Sequence, residues 1–529
     1  MFNKKIIWAI ALFATSNLAF GQSSAPENWF NKDNKTDKVL GMSTEKAYNE
    51  LLKSKTPVPV IVGILDSGVD EDHEDLKNVM WVNEDEIPGN GKDDDNNGYV
   101  DDIFGWNFIG GKDGKNVEKD TYELTRVYKK LNDKFENMSE ASMTAEERTE
   151  FMEFLKIKAT FLEESVKAKK TFENIAKTKA VLDEIEAGIG KGENFTLAEL
   201  KNYKPTSTNQ ANVIANFIVI MEAGDSYAHI KKDFMGAYEH YDKEANFRYN
   251  VDFDPRPIVG DNYADQTEKV YGNNDVTGPD ASHGTHVAGI IGAQRDNNLG
   301  IKGVSNSVKI MSVRCVPDGD ERDKDVANAI RYAVDNGAKV INMSFGKAYP
   351  WSKTIVDEAV KYAETKDVLL VHGAGNDAKD LDATINYPNP YIANGSTRAL
   401  NWVEVGASSW TTGKDKLGSF SNYGHTKVDV FAPGVSIYST IPGSKYASFD
   451  GTSMASPATA GVAAIIRSYF PDLTAEQVRT ILMKSTTKVK KKIYFPGTNK
   501  KTKLKKISVS GGVVNAYKAV KMADKMSKF

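Results

Sequence analysis

The chain has 529 residues, room for two or three domains, and at 40% hydrophobic residues it can bury a large core. A formal net charge of −4 gives no electrostatic reason to bind nucleic acid or an anionic membrane. The single cysteine, Cys315, excludes an internal disulfide, and its strand-like setting VKIMSVRCV predicts a buried, inert thiol.

Met1-Phe2-Asn3-Lys4-Lys5 followed by IIWAIALFATSNLAF predicts a secretory signal peptide over residues 1–21, with cleavage near Ala19-Phe20-Gly21. Export to the periplasm or the medium follows. No cysteine succeeds the apolar stretch, so no lipid anchor is expected. No other segment reaches about 18 uninterrupted apolar residues, so the mature chain should carry no integral membrane segment. Residues 22–57 form a short polar segment with a helical pattern near 43–53. VPVIVGIL then reads as a buried parallel strand that ends at Asp66 in ILDSGVD. That is the carboxyl end of a strand, where open α/β sheets bind ligands. The plain alternative is an Asx turn.

Asp93, Asp95 and Asn97, with Gly98 at the sixth place, match the start of a calcium loop. Tyr99 would offer its carbonyl, and Asp101 or Asp102 would close the site. The glutamate at position twelve of an EF-hand is missing. An acidic surface turn is the plain alternative. From 117 to 245 the composition shifts to Lys/Glu-rich segments with helical apolar spacing: Leu124, Val127, Leu131, Phe135 and Met138, then Phe151, Phe154, Ile157, Phe161 and Val166. Gly188, Gly190 and Gly192 mark a hairpin point. This helical insert splits a catalytic domain into residues 58–116 and 246–529.

Ser282-His283-Gly284-Thr285-His286 opens a small-residue helix suited to tight packing on a sheet. Strand and helix patterns then alternate: KIMSVRCV, DVANAIRYAVDNGA, KVINMSF, VDEAVKYAETK, DVLLVHGAG. That rhythm predicts an α/β fold with a doubly wound parallel sheet. Asn376 closes a Gly-rich turn after the last of these strands, within His372-Gly373-Ala374-Gly375-Asn376. Ser453, in FDGTSMASP, stands between a glycine-led turn and the helical run ATAGVAAII. At a helix N-terminus, free N–H groups and the dipole favour negative charge on its hydroxyl oxygen. Residues 484–508 are strongly basic, and the segment from Gly511-Gly512-Val513-Val514-Asn515-Ala516 onward reads as a short closing helix.

ILDSGVD, SHGTHVAGI and GTSMASP, in that order, closely resemble the three signature blocks of the subtilisin-like serine proteases, the subtilases. The resemblance implies a subtilisin-like fold and peptide-bond hydrolysis of peptide or protein substrates. It implies a triad of Asp66, His283 and Ser453, with His286 a packed second histidine. The segment ending at Asn376 resembles the block whose asparagine donates to the oxyanion. Ser344, Phe345 and Gly346 resemble the wall of the primary specificity pocket, where substrate would pair as an added strand, and Gly373, Ala374 and Gly375 are further candidate substrate-binding residues. No organic cofactor is implied, and structural calcium is common in the family. The chain departs from the pattern in three ways. His372 replaces a small residue, 216 residues separate Asp66 from His283, and residues 22–57 are too short for the usual inhibitory prosegment. The insert reads either as a solvated decoration or as a lid, docking arm or substitute for that prosegment. Residues 317–325 carry five acidic groups against Arg322 and Lys324 where the family's non-prime cleft lies. They predict either a solvated loop or an acidic rim that favours basic substrate residues. Two other readings remain, a zinc hydrolase on His283 and His286 and a catalytically silent subtilase-like binding module.

Overall fold

The computed structural model describes residues 25–392, 395–411 and 413–528. The expected signal peptide at 1–21 lies outside them. Two compact units are present, Leu124–Phe253 and the remainder, Ala25–Glu123 with Asp254–Phe529.

The larger unit is built on a nine-stranded sheet. Its strand order is Thr487–Lys488, Gly512–Val513, Val430–Pro433, Trp402–Ser408, Leu369–Gly373, Val340–Met343, Val60–Asp66, Val308–Arg314 and Gly105–Asn107. Every pairing is parallel except the edge pair of Thr487–Lys488 with Gly512–Val513. The strand Val60–Asp66 has Val308–Arg314 on one side and Val340–Met343 on the other, so the winding reverses beside it. That reversal opens a crevice at the carboxyl ends of the strands.

Near-continuous apolar strands bury both faces. Val60, Val62 and Ile64 face a core shared with the helices Ser282–Gly292 and Thr452–Tyr469, while Leu65 faces one shared with Asp323–Asp335 and Lys353–Thr365. Small residues let the helix Thr452–Tyr469 lie close: a Cβ on Gly461 would stand 2.6 Å from Val304 Cβ. Residues 25–57 are part of this unit. Trp29, Phe30, Met42 and Leu52 join the first core. Trp29 Nε1 donates to the Ser436 carbonyl at 3.1 Å, and Asn515 Nδ2 to Ser43 Oγ at 2.8 Å.

The unit Leu124–Phe253 is helical. The expected insert at 117–245 begins earlier than this unit and ends earlier, because Val117 packs in the second core of the sheet. Its main helix, Ala145–Ile189, runs 45 residues. It starts at a capping box of Thr144 with Glu147 and ends where Gly190 turns left-handed at φ 72°. Buried Phe154, Phe161, Ala168, Ile175 and Leu182 recur every seventh residue, a single stripe along one face. Val166, expected in the apolar run, is off that stripe and exposed. Phe195, Leu200, Ile214, Phe217, Met221, Tyr227, Ile230 and Phe234 close a core on the distal half of the stripe. Thr125 Oγ1 donates to the Arg248 carbonyl at 2.7 Å, so the two ends of the unit meet.

Candidate active site

Asp66 ends its strand in the crevice and is buried. Its Oδ1 lies 2.7 Å from His283 Nδ1. The helix Ser282–Gly292 can come this close because residue 284 is glycine: a Cβ there would stand 2.1 Å from the Gly68 carbonyl oxygen and 3.2 Å from Asp66 Cβ. Desolvation alone would lower the His283 pKa. The charge of Asp66 and its hydrogen bond outweigh that, with help from Asp280, and hold it above the usual histidine value. The His283 side chain keeps 40% of its surface exposed.

His286, one turn on, plays a different part. Its Nε2 meets the Ala447 carbonyl at 3.1 Å, and its ring stacks on Phe449 at 4.2 Å. Burial pushes its pKa down to about 3. The two histidines engage different partners and present no common metal site, which removes the ground for a zinc hydrolase. Phe449 leads through Gly451 into the helix Thr452–Tyr469, so the His283 helix lies alongside the segment that presents Ser453.

Ser453 is the second residue of that helix and half-buried. Its Oγ donates to the Ser344 carbonyl at 3.1 Å, and Ser344 Oγ donates to the Ser453 carbonyl at 2.9 Å. The Ser344 segment is thereby locked to the start of the helix. Asn376 Oδ1 accepts from Thr452 N at 2.9 Å and Thr452 Oγ1 at 3.0 Å. Only the amide oxygen can accept a backbone N–H, so the Asn376 Nδ2 is the end left to donate beside Ser453. Thr452 Oγ1 also accepts the Gly375 N–H at 3.0 Å. Gly375 sits at φ 99°, and a Cβ there would strike Asn422 Nδ2 at 2.5 Å, so the turn needs glycine. Ala374 is fixed by its N–H to the Val405 carbonyl, and Gly373 packs with a would-be Cβ 3.1 Å from Thr452 O. Phe345 and Gly346 continue from Ser344 to Lys347, whose N–H and carbonyl pair with Tyr387. Thr452, which clamps both sides of the turn, had no distinguishing signal in the sequence beyond its place in Gly-Thr-Ser. Cys315 is buried, and burial pushes its thiol well above its ordinary range, so it is no competing nucleophile.

The acidic loop at 93–102 does gather carboxylates. Oxygen atoms of Glu86, Asp95 and Asp102 lie within 4.8 Å of one another, the set among the described residues that could hold a metal ion. Glu86 is an addition: it lies before the loop and also accepts the N–H of Asp94, Asp95 and Asp101. Asn97 Nδ2 bonds Asp95 and Asp102, and its Oδ1 accepts the Tyr99 N–H. Asp93 accepts from Asn97 N and Gly98 N, and Asp101 turns to the N–H groups of Asn90 and Gly91. Burial raises the Asp102 pKa to about 6 despite donors from Tyr332, Asn83 and Asn97. Clustered hard oxygen donors of this kind, one of them short of charge compensation, fit calcium.

The solvated-loop reading of residues 317–325 fails for their second half. Glu321, Arg322, Asp323, Lys324 and Asp325 are buried. Arg322 binds Asp120 at 2.7 Å and Asp254 at 3.1 Å; Lys324 binds Asp261 at 2.6 Å and Glu268 at 2.9 Å; Asp325 binds Arg256 at 2.6 Å. Lys347 bridges Glu123 at 2.6 Å and Asp323 at 2.7 Å. Burial pushes Glu321 up to about 8 against the pull of Lys347. Asp323 and Asp325 are matched internally by Lys347 and Arg256, so these two acids add no one-sided field to steer a substrate.

Residues 59–503 match a family model described as "Subtilase family". Thermitase of Thermoactinomyces vulgaris is 37% identical over 269 residues, covering 50% of this chain and 85% of that protein. Subtilisin DY of Bacillus licheniformis is 38% identical over 215 residues, 40% of this chain and 73% of the relative. A thermophilic serine proteinase of Bacillus sp. (strain AK1) is 44% identical over 188 residues, 35% of this chain and 43% of the relative, so less than half of that protein's length is matched. With a mostly parallel α/β sheet and a family match across most of its length, the chain belongs to the subtilase family of serine proteases.

Proposed function

We propose that the chain is an exported serine endopeptidase that cleaves peptide bonds through an acyl-enzyme, with Ser453 as nucleophile, His283 as general base and Asp66 as the group that orients it. One observation carries the reading: Asp66 grips His283 Nδ1 at 2.7 Å beside a helix start that presents Ser453. Asp66 holds the proton on Nδ1, which leaves Nε2 as the basic nitrogen. In the resting arrangement the Ser453 hydroxyl rests on the Ser344 carbonyl. Rotation about its Cα–Cβ bond turns it to the imidazole, which takes the proton as Oγ attacks the scissile carbonyl. His283 then returns the proton to the leaving amine. The oxyanion is met by Asn376 Nδ2 and by the Ser453 N–H. Export rests on the basic and apolar N-terminus, and among the described residues no helix is long and apolar enough to cross a membrane.

Structural calcium at Glu86, Asp95 and Asp102 belongs to the same reading. When bound, it would neutralise the crowded carboxylates and stiffen the loop, with no part in the chemistry. The function is tested by a serine-directed phosphonate followed by peptide mass mapping. The expected result is one label per chain on Ser453. A folded protein that takes up no label and cleaves no peptide is instead a binding module.

A further inference from the structure

His372 is an imidazole within the buried strand Leu369–Gly373. It is wholly buried, in strand register between Met343 and Glu404. Burying an imidazole and a carboxyl is costly unless every polar atom is matched, and here they are. His372 Nδ1 lies 2.9 and 3.1 Å from the two Glu404 oxygens. Trp402 Nε1 donates to Glu404 Oε2 at 2.8 Å. His372 Nε2 lies 2.8 Å from the Phe345 carbonyl oxygen. A carbonyl oxygen only accepts, so Nε2 carries a hydrogen. Nδ1 and the Glu404 carboxyl then share one proton, as imidazolium with carboxylate or as imidazole with acid. Either way, Glu404 and Trp402 fix the ring so that it donates to Phe345.

The consequence lies one peptide bond on. The Phe345–Gly346 bond is trans, so its C=O and N–H point to opposite sides. With the carbonyl held inward by His372, the Gly346 N–H faces the other way, and among the described residues nothing accepts from it. An unpaired strand-like N–H beside Ser344 is what an incoming extended peptide would pair with.

We propose that His372, oriented by Glu404 and Trp402, is a positioning residue that sets the Phe345–Gly346 peptide plane for pairing with the substrate backbone. The proposal rests on the endopeptidase reading above. It concerns extended substrates, which reach Gly346, and leaves the chemistry at Ser453 untouched.

The test compares two substrates sharing the residue before the scissile bond: an N-acylated tetrapeptide anilide and a single-residue ester too short to reach Gly346. Active sites are counted by phosphonate titration, so misfolded molecules drop out. An asparagine amide reaches only as far as the ring Nδ1, whereas a glutamine amide reaches the place of Nε2. His372→Asn should therefore lower kcat/KM for the tetrapeptide by about tenfold, the worth of one well-placed hydrogen bond, and change the ester by less than about twofold. His372→Gln should keep the tetrapeptide within about threefold of wild type. If His372→Asn does not fold, the double variant His372→Leu, Glu404→Gln, which removes the ring and the carboxyl charge together, carries the same expectation as the asparagine variant. Equal effects of Asn and Gln, or a parallel fall on both substrates, would overturn the proposal. Absence of a phosphonate label on wild-type Ser453 would instead overturn the endopeptidase reading, whatever the variants do.

Discussion

Each member of the site owes its behaviour to a specific neighbour. His283 is raised above the usual histidine range against desolvation, and the charge of Asp66 is the main reason. The pair therefore contributes stability that is complete below the unfolded histidine value and lost as pH rises through the folded one. Under the proposed mechanism activity runs the other way, because only neutral His283 accepts a proton. The acid limb of kcat/KM should lie above the ordinary value of 6.5. Asp66→Asn should move that limb to lower pH and cut the rate by about 10⁴-fold. A pH–rate series on wild type and variant checks both, and an unmoved limb would assign the titration to another group. Asn376→Ala should cost about 10²–10³-fold in kcat, as loss of one oxyanion donor does. Thr452 holds that amide by two bonds.

At the scale of elements, local pattern and distant partners part company. Asp66, His283, Asn376 and Ser453 stand out in the sequence as candidates because each sits at, or just past, the start or end of an element. His372, Glu86, Thr452 and Lys347 do not. Their roles depend on partners 32 residues away for His372, 76 for Thr452 and 224 for Lys347. The acidic run at 317–325 misleads for the same reason: composition shows charge but not burial, and the cations that meet Asp325 and Asp323 are the distant Arg256 and Lys347. The loop at 93–102 was visible as a calcium pattern, yet its carboxylates also satisfy many backbone N–H groups, so the third gathered acid, Glu86, lies before it. If calcium binds there, it stabilises the folded state by mass action. Melting curves should shift upward with calcium and fall back with chelator, and Asp95→Ala should abolish the shift. Curves that coincide with and without chelator would leave the loop as an acidic turn.

For the whole molecule, the helical unit is a long excursion from an otherwise continuous α/β scaffold. Its stripe joins two apolar clusters, Phe154 in one and Ile175 and Leu182 in the other. The scaffold residues at its two ends, Asp120 and Asp254, share Arg322. Because Thr125 and Arg248 are hydrogen-bonded, a loop of about four residues can replace what lies between them. Such a deletion should keep hydrolysis of small chromogenic peptides and change cleavage of folded proteins. A folded deletion inert toward small peptides would show that the unit helps to build the site. Residues 25–57 are the opposite case: they pack in the main core of the larger unit, a place that a short polar segment does not advertise in sequence. The account as a whole stands on Asp66, His283 and Ser453 acting as one unit, and the most direct measurement is kcat for Ser453→Ala, His283→Ala and the double variant on one peptide substrate. Each single change should abolish nearly all turnover, and the double should be no worse than the singles. Near-normal turnover in Ser453→Ala, or losses that multiply in the double variant, would contradict it.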